Sequence, residues 1–257
     1  MSSEVCKFVW YELTTPDVDA AQAFYRQVIG WNIADAGMPG YRYGIISAGT
    51  APVGGMMAIN EEMKSRGVPP CWTGYVGVPD VDAKTAQFKA AGGSIYLPPA
   101  DIPGVGRFSL VADPFGAGLI LFKPQGGETP APVARGTPGH IGWNELMVDE
   151  REAAFSFYAA MFGWSKTVAH DMGPMGVYQL FSTGGANDAG GMMTKMPDMS
   201  MSSWAYYVNV ESTGAAHERV KAGGGKVVNG PMQVPGGDWV AQCQDPQGAF
   251  FSLLGPA

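Results

Sequence analysis

The chain states one pattern twice. Trp10-Tyr11-Glu12-Leu13 opens a segment that runs through Phe24-Tyr25 to Gly30-Trp31. A second, opening on Trp143-Asn144-Glu145-Leu146, runs through Phe157-Tyr158 to Gly163-Trp164, each residue 133 positions after its counterpart. The echo continues downstream in Gly54-Gly55-Met56-Met57 and Gly190-Gly191-Met192-Met193, in Trp72 and Trp204, and in Asp113-Pro114 and Asp245-Pro246. A repeat of this length exceeds any solenoid unit and calls for two copies of a whole domain, which 257 residues can accommodate. The proline- and glycine-rich stretch at 125–137 reads as the linker, since no periodic apolar pattern survives there. The expected domains are 1–124 and 138–257.

A shorter repeat is nested inside. Pro16-Asp17-Val18-Asp19-Ala20 recurs as Pro79-Asp80-Val81-Asp82-Ala83, each time after an apolar run and before an amphipathic stretch. Asp17 is placed to cap a helix that carries Ala21, Phe24, Tyr25 and Val28 at helical spacing and stops at Gly30. Strand-like runs precede each helix, over 7–13, 72–78, 141–148 and 203–210, and shorter ones follow it. The coarse unit is a strand, a helix, then two or three strands, four times over. The expected class is α+β: paired modules that bury one face of a curved sheet under helices and leave the concave side for a small ligand.

A formal net charge of −7 without any basic run argues against nucleic acid as a partner. No apolar run is long enough to cross a bilayer, and no apolar stretch follows a basic start, so no membrane partner and a cytoplasmic location are expected. Cys6, Cys71 and Cys243 are widely spaced and form no CxxC pair; they read as small buried hydrophobes. Nothing resembles a phosphate loop or a nucleophile elbow.

Taken in order and in both halves, three features resemble the glyoxalase/bleomycin-resistance/extradiol-dioxygenase superfamily, the vicinal oxygen chelate proteins. They are the Phe-Tyr pair before a Gly-Trp, the Gly-Gly after the second helix, and the Asp-Pro-x-Gly at Asp113-Pro114-Phe115-Gly116 and Asp245-Pro246-Gln247-Gly248. The resemblance implies four βαβββ modules in two bowl-forming domains. It also raises the question of a metal, because family enzymes hold a divalent ion with His and Glu. Carried over residue by residue, those ligand positions fall near Trp10 or Trp143, near Thr73 or Ala205, on Ile120 or Ser252, and within the Gly-Gly-Met-Met segments. None supplies an imidazole or a carboxylate. The three histidines, His140, His170 and His217, all lie in the second half. His140 begins a strand, His170 falls in a loop-like stretch, and His217 lies within a helix. A catalytic Fe or Zn site wants about three protein ligands with imidazole prominent, so no cofactor is expected and a divalent metal is the minor alternative.

Glu12 and Glu145 are the candidate catalytic groups. Each lies two residues after a Trp on a strand, so both side chains share a face. A carboxylate there is either a general base or ligand-orienting group, or a structural one paired with Arg or backbone amides. Trp10, Trp72, Trp143 and Trp204 open equivalent strands as aromatic walls or as core filling. Tyr41, Tyr43 and Tyr178 offer hydroxyls to the bowls. Arg107 either clamps a ligand carboxylate or pairs with Asp113 or Glu12, and Asp238 stands in its place in the second half. His140 completes the ligand-contact set. The leading expectation is a metal-independent bowl for a small, partly aromatic molecule, in a monomer or homodimer. The alternative is a metal-assisted lyase, isomerase or oxygenase of glyoxalase type with Glu12 or Glu145 as base. A third possibility leaves one half as a structural copy.

Overall fold

The computed structural model describes residues 5–38, 42–126, 133–197 and 199–257. Tyr41 and the middle of the expected linker lie outside the described residues. The chain folds as β1 (Lys7–Thr15), α1 (Val18–Ile29), β2 (Asn32–Asp35), β3 (Tyr43–Ala48) and β4 (Ala51–Ala58), then a short α2 (Glu61–Ser65). It continues through β5 (Cys71–Gly77), α3 (Val81–Ala90), β6 (Ser94–Ile102), β7 (Gly106–Ala112) and β8 (Gly118–Pro124). The second half repeats this as β9 (Ile141–Val148), α4 (Arg151–Phe162), β10 (Ser165–Asp171), β11 (Val177–Ser182) and β12 (Gly190–Thr194). It closes with β13 (Ser203–Asn209), α5 (Thr213–Ala222), β14 (Lys226–Gln233), β15 (Trp239–Gln244) and β16 (Phe250–Gly255). This is βαβββ four times, an α+β fold with two mixed sheets. Their strand orders are β2-β3-β4-β1-β5-β8-β7-β6 and β10-β11-β12-β9-β13-β16-β15-β14. None of the described helices is long and apolar enough to cross a membrane.

The helix starts follow from their caps. Asp17, Asp80 and Ser212 each accept a hydrogen bond from a backbone N–H three residues on, satisfying one donor that the first turn leaves open. The helix α4 begins without a side-chain cap at Glu150. α1 and α4 both end on a left-handed glycine, Gly30 (φ 86°) and Gly163 (φ 73°), a conformation in which a Cβ is penalised.

The described chain gathers into two compact units. One comprises Met1–Val9, Gly74–Pro132 and Asn144–Trp204; the other comprises Trp10–Thr73, Val133–Trp143 and Ala205–Ala257. Each sheet is drawn from one sequence half, whereas each unit takes segments from both. The second unit has a core of Leu13, Phe24, Tyr25, Trp31, Ile46 and Met56 from the first half, with Val208, Val220, Phe251 and Leu253 from the second. There Arg219 Nε donates to the Val28 carbonyl oxygen at 2.9 Å, tying α5 to α1. In the first unit Lys84 Nζ donates to the Met161 carbonyl oxygen at 2.6 Å, tying α3 to α4. Its core stacks Trp164 on Phe181 (4.7 Å) and on Tyr158 (5.3 Å).

The motifs that carry the family resemblance form one hydrogen-bonded arrangement in each unit. Tyr25 Oη donates to Asp245 Oδ2 at 3.0 Å and accepts from the Trp72 indole N–H at 2.9 Å. Tyr158 Oη donates to Asp113 Oδ2 at 2.8 Å and accepts from Trp204 at 3.1 Å. The other oxygen of each aspartate turns the Asp-Pro-x-Gly loop: Asp245 Oδ1 accepts from Gln247 N and Ala249 N, and Asp113 Oδ1 from Phe115 N and Ala117 N, all at 2.9 Å. Burial pushes both carboxyls up, and these donors pull them part of the way back. The Gly-Trp tryptophans act likewise on backbone. Trp31 Nε1 donates to the Gly139 carbonyl oxygen and Trp164 Nε1 to that of Cys6, both at 2.7 Å.

Cys6 and Cys243 are buried, and burial pushes the Cys243 thiol up to about 12; Cys71 is half-buried. Replacing Tyr25 by Phe strips Asp245 of a donor and Trp72 of its acceptor. Urea denaturation should report a loss of about 1–3 kcal/mol for Tyr25→Phe. A loss indistinguishable from zero would mean the hydroxyl is dispensable.

Candidate functional site

Strand β1 alternates, so its two faces have different fates. Leu13 is fully buried in the core under α1, which turns Trp10 and Glu12 to the opposite face. In β9 the fully buried Leu146 does the same for Glu145. Both glutamates are nonetheless well covered, with 8% and 7% of their surface exposed. A carboxylate so placed needs hydrogen-bond donors, and a tyrosine supplies one in each case. Tyr43 Oη donates to Glu12 Oε2 at 2.8 Å, and Tyr178 Oη donates to Glu145 Oε2 at 2.9 Å. The Trp10 indole N–H in turn donates to Tyr43 Oη at 3.1 Å.

The glycine pair makes this geometry possible. Parallel pairing of β1 with β4 sets Glu12 opposite Gly55, and pairing of β9 with β12 sets Glu145 opposite Gly191. Tyr43 reaches across from β3 and its ring lies directly over Gly55, so that a Cβ built there would fall 1.9 Å from Tyr43 Oη. A Cβ on Gly191 would fall 2.3 Å from Tyr178 Cζ. The preceding glycines are equally constrained, by the Tyr11 carbonyl oxygen at 2.5 Å from a Cβ on Gly54 and by that of Asn144 at 1.9 Å from one on Gly190. The second glycine of each pair is therefore a slot for a tyrosine ring, and the first admits a neighbouring backbone carbonyl. The methionines that follow divide: Met56 and Met192 are fully buried core residues, while Met57 and Met193 are half-buried.

The remaining candidates lie as follows. Trp143 occupies in β9 the position that Trp10 has in β1, and it is half-buried. Trp72 and Trp204 belong to the tyrosine–aspartate arrangement described above. His140 stands just ahead of β9 with Nδ1 3.3 Å from the Pro138 carbonyl oxygen. His170, expected in a loop, is a strand residue of β10 and the cross-strand partner of Tyr178. Arg107 does not pair with Asp113 or Glu12. It opens β7 opposite Asp101 in a hairpin, donates to Asp101 at 3.0 Å and to both oxygens of Asp82 at 2.6 and 2.8 Å. Its guanidinium holds the Asp82 carboxyl below the usual range. It lines an open recess of about 450 Å³ with Lys123 and Gln125. Asp238, its counterpart, faces Arg135 at 3.6 Å.

Among the described residues, no group of three or more His, Cys, Asp or Glu side chains comes together in a way that could hold a metal ion. Trp, Thr, Ala, Ile and Ser stand where the family's ligands would fall, and this donor set does not fit a divalent metal. The arrangement that is present, a carboxylate held by a phenol, can accept a proton or a hydrogen bond from a bound molecule.

The sequence alone offered the glutamates and tyrosines separately. Their pairing depends on strand register. The one available signal was a Tyr followed by Gly-Gly at nearly the same distance in both halves, at Tyr43 and Gly54-Gly55 and at Tyr178 and Gly190-Gly191. Gly55→Ala should destabilise the chain by about 1–3 kcal/mol through overpacking against Tyr43. In a Tyr43→Ala background the same substitution should cost much less. A double-mutant cycle in urea that returned no coupling between the two would refute the slot.

Comparison with known proteins accords with this architecture. The sequence profile of the Glyoxalase/Bleomycin resistance protein/Dioxygenase superfamily matches residues 7–121 and 137–253. The chain is 33% identical over 250 residues to the Mycobacterium tuberculosis protein named "Putative glyoxylase CFP32", covering 96% of this chain and 94% of that protein. It is 31% identical over 263 residues to "Anthracycline biosynthesis protein DnrV" of Streptomyces peucetius, covering 95% and 91%. Among solved structures, the fold is similar to the Mn(II)-bound glyoxalase from Novosphingobium aromaticivorans (TM-score 0.64, 19% identity, 98% of this chain and 82% of that one). It is also similar to the 2,3-dioxygenase LapB from Pseudomonas sp. KL28 (TM-score 0.67, 13% identity, 100% and 94%). With both halves matched and the modules in order, the chain belongs to the glyoxalase/bleomycin resistance protein/dioxygenase superfamily.

Proposed function

We propose that this protein binds a small, partly aromatic organic molecule on the glutamate-bearing sheet face of one or both units, without a catalytic metal. The observation that carries this reading is the duplicated Glu–Tyr–Gly arrangement. A glutamate buried on a strand and steadied by a tyrosine is an orienting group, and Trp10, whose indole N–H donates to the same tyrosine, offers a flat apolar surface. The name of the Streptomyces relative, which places it in anthracycline biosynthesis, is in keeping with a polycyclic aromatic ligand.

A second reading is an enzyme of glyoxalase type, lyase, isomerase or oxygenase, with Glu12 or Glu145 as base and a metal assisting. It is favoured by the glyoxylase name of the mycobacterial relative and by the manganese in a protein of similar fold.

The two separate by measurement. If binding is right, tryptophan fluorescence should respond to members of an aromatic metabolite library, and Trp10→Phe or Trp143→Phe should weaken the response. Stoichiometric Fe, Mn, Zn or Ni in the purified protein, together with turnover lost in Glu12→Gln or Glu145→Gln, would instead establish the enzyme.

A further inference from the structure

β10 is an edge strand, and six of its seven residues are exposed. The exception is His170, which is half-buried. Antiparallel register sets it directly opposite Tyr178, and residues so paired share one face of the sheet. Tyr178 belongs to the glutamate-bearing face: its ring lies over Gly191 and its hydroxyl donates to Glu145 Oε2. The imidazole is therefore on that face as well, at its margin. The order β10-β11-β12-β9 separates its backbone from that of Glu145 by three strand spacings, about 14 Å, with the Tyr178 ring lying between. Leu180, opposite Gly191, and Met193, two residues beyond Gly191, are half-buried on the same face and supply apolar contact. Among the described residues no side chain pairs with the His170 ring.

The first half has no counterpart to this imidazole. Asp35 stands opposite Gly44 there, so Ala36 falls opposite Tyr43, and its N–H donates to the Tyr43 carbonyl oxygen at 2.8 Å. A methyl group takes the place of the imidazole. We infer that His170 is a ligand-contacting residue of the Glu145–Tyr178 site. We infer also that this site takes a longer molecule than its counterpart, a fused aromatic with a second hydroxyl at the end away from the glutamate. The inference rests on the proposed binding function and specifies the ligand of one of its two sites. A molecule laid along the Tyr178 ring has Glu145 at one end and the imidazole at the other. A neutral imidazole carries one N–H and one lone pair, so it can donate to a hydroxyl or accept from it. Half-buried, it competes with water less than an exposed side chain would, which leaves a net gain for the bond.

Two probes test this on the full chain by calorimetry and tryptophan quenching: 2-naphthol, with one hydroxyl, and 2,6-dihydroxynaphthalene, with a second at the far end. The diol should bind about ten-fold more tightly, and its tight site should number one per chain, because only one half carries the imidazole. His170→Ala should bring the diol down to the affinity of the naphthol while leaving the naphthol unchanged. His170→Gln, which keeps a donor and an acceptor, should restore part of the difference. Equal affinity for the two probes, tight binding of the diol at two equal sites, or an equal loss for both probes in His170→Ala overturns the inference while aromatic binding stands. Failure of both probes to bind overturns the binding function and the inference with it. Should His170→Ala not fold, the ranking and stoichiometry of the two probes on the unsubstituted chain decide the matter.

Discussion

Each unit depends on a helix tyrosine that joins a buried aspartate to an indole. Tyr25 with Asp245 and Trp72, and Tyr158 with Asp113 and Trp204, bring a helix, a loop and a strand start to one point. The partners are reciprocal in sequence. The tyrosine of the first half takes the aspartate of the second, and the tyrosine of the second half takes that of the first. Because each aspartate also accepts two backbone N–H groups of its own turn, moving the helix would disturb the loop and the last strand of the sheet behind it. Such fully satisfied buried networks specify one arrangement, since any partial version leaves a polar group without water or partner.

The repeated motifs thus divide into two classes by what they touch. Phe-Tyr, Gly-Trp and Asp-Pro-x-Gly hold the fold. Trp-x-Glu-Leu and Gly-Gly-Met-Met build the other face, where Glu12 and Glu145 lie opposite Gly55 and Gly191 and under Tyr43 and Tyr178. The same strands serve both ends, because successive residues point to opposite faces: Leu13 and Met56 go to the core, Glu12 and Gly55 to the candidate site. A one-residue slip in register would put the glutamate into the core and the leucine on the site.

The four modules, their helix starts and most inner strands were legible in the chain. Asp17, Asp80 and Ser212 sit where a helix start demands an acceptor, and the predicted run at 141–148 coincides with β9. Besides the inner strand β12, the strands that escaped notice are β2, β6, β10 and β14, all at sheet edges. Three of these have no buried residue and β2 has one, so no apolar alternation marks them. β6 and β14 even contain proline, which an edge tolerates because its outward N–H has no ladder partner to lose. His170 was misplaced into a loop for this reason.

The sequence by itself determined the doubling, the module order, the α+β class and the residue types available for chemistry, because these follow from local propensity and from repeated spacing. Only the tertiary structure decided which of those residues meet. Tyr43 lies 31 positions from Glu12, and Tyr25 lies 220 positions from Asp245. Pairings at such separations are set by strand register and by the exchange of segments between halves, and neither leaves a periodic trace in the chain. That is why Arg107, free to choose by sequence, went to Asp82 and Asp101, and why the second glycine of each repeated Gly-Gly-Met-Met proved to be the space a tyrosine needs to reach its glutamate.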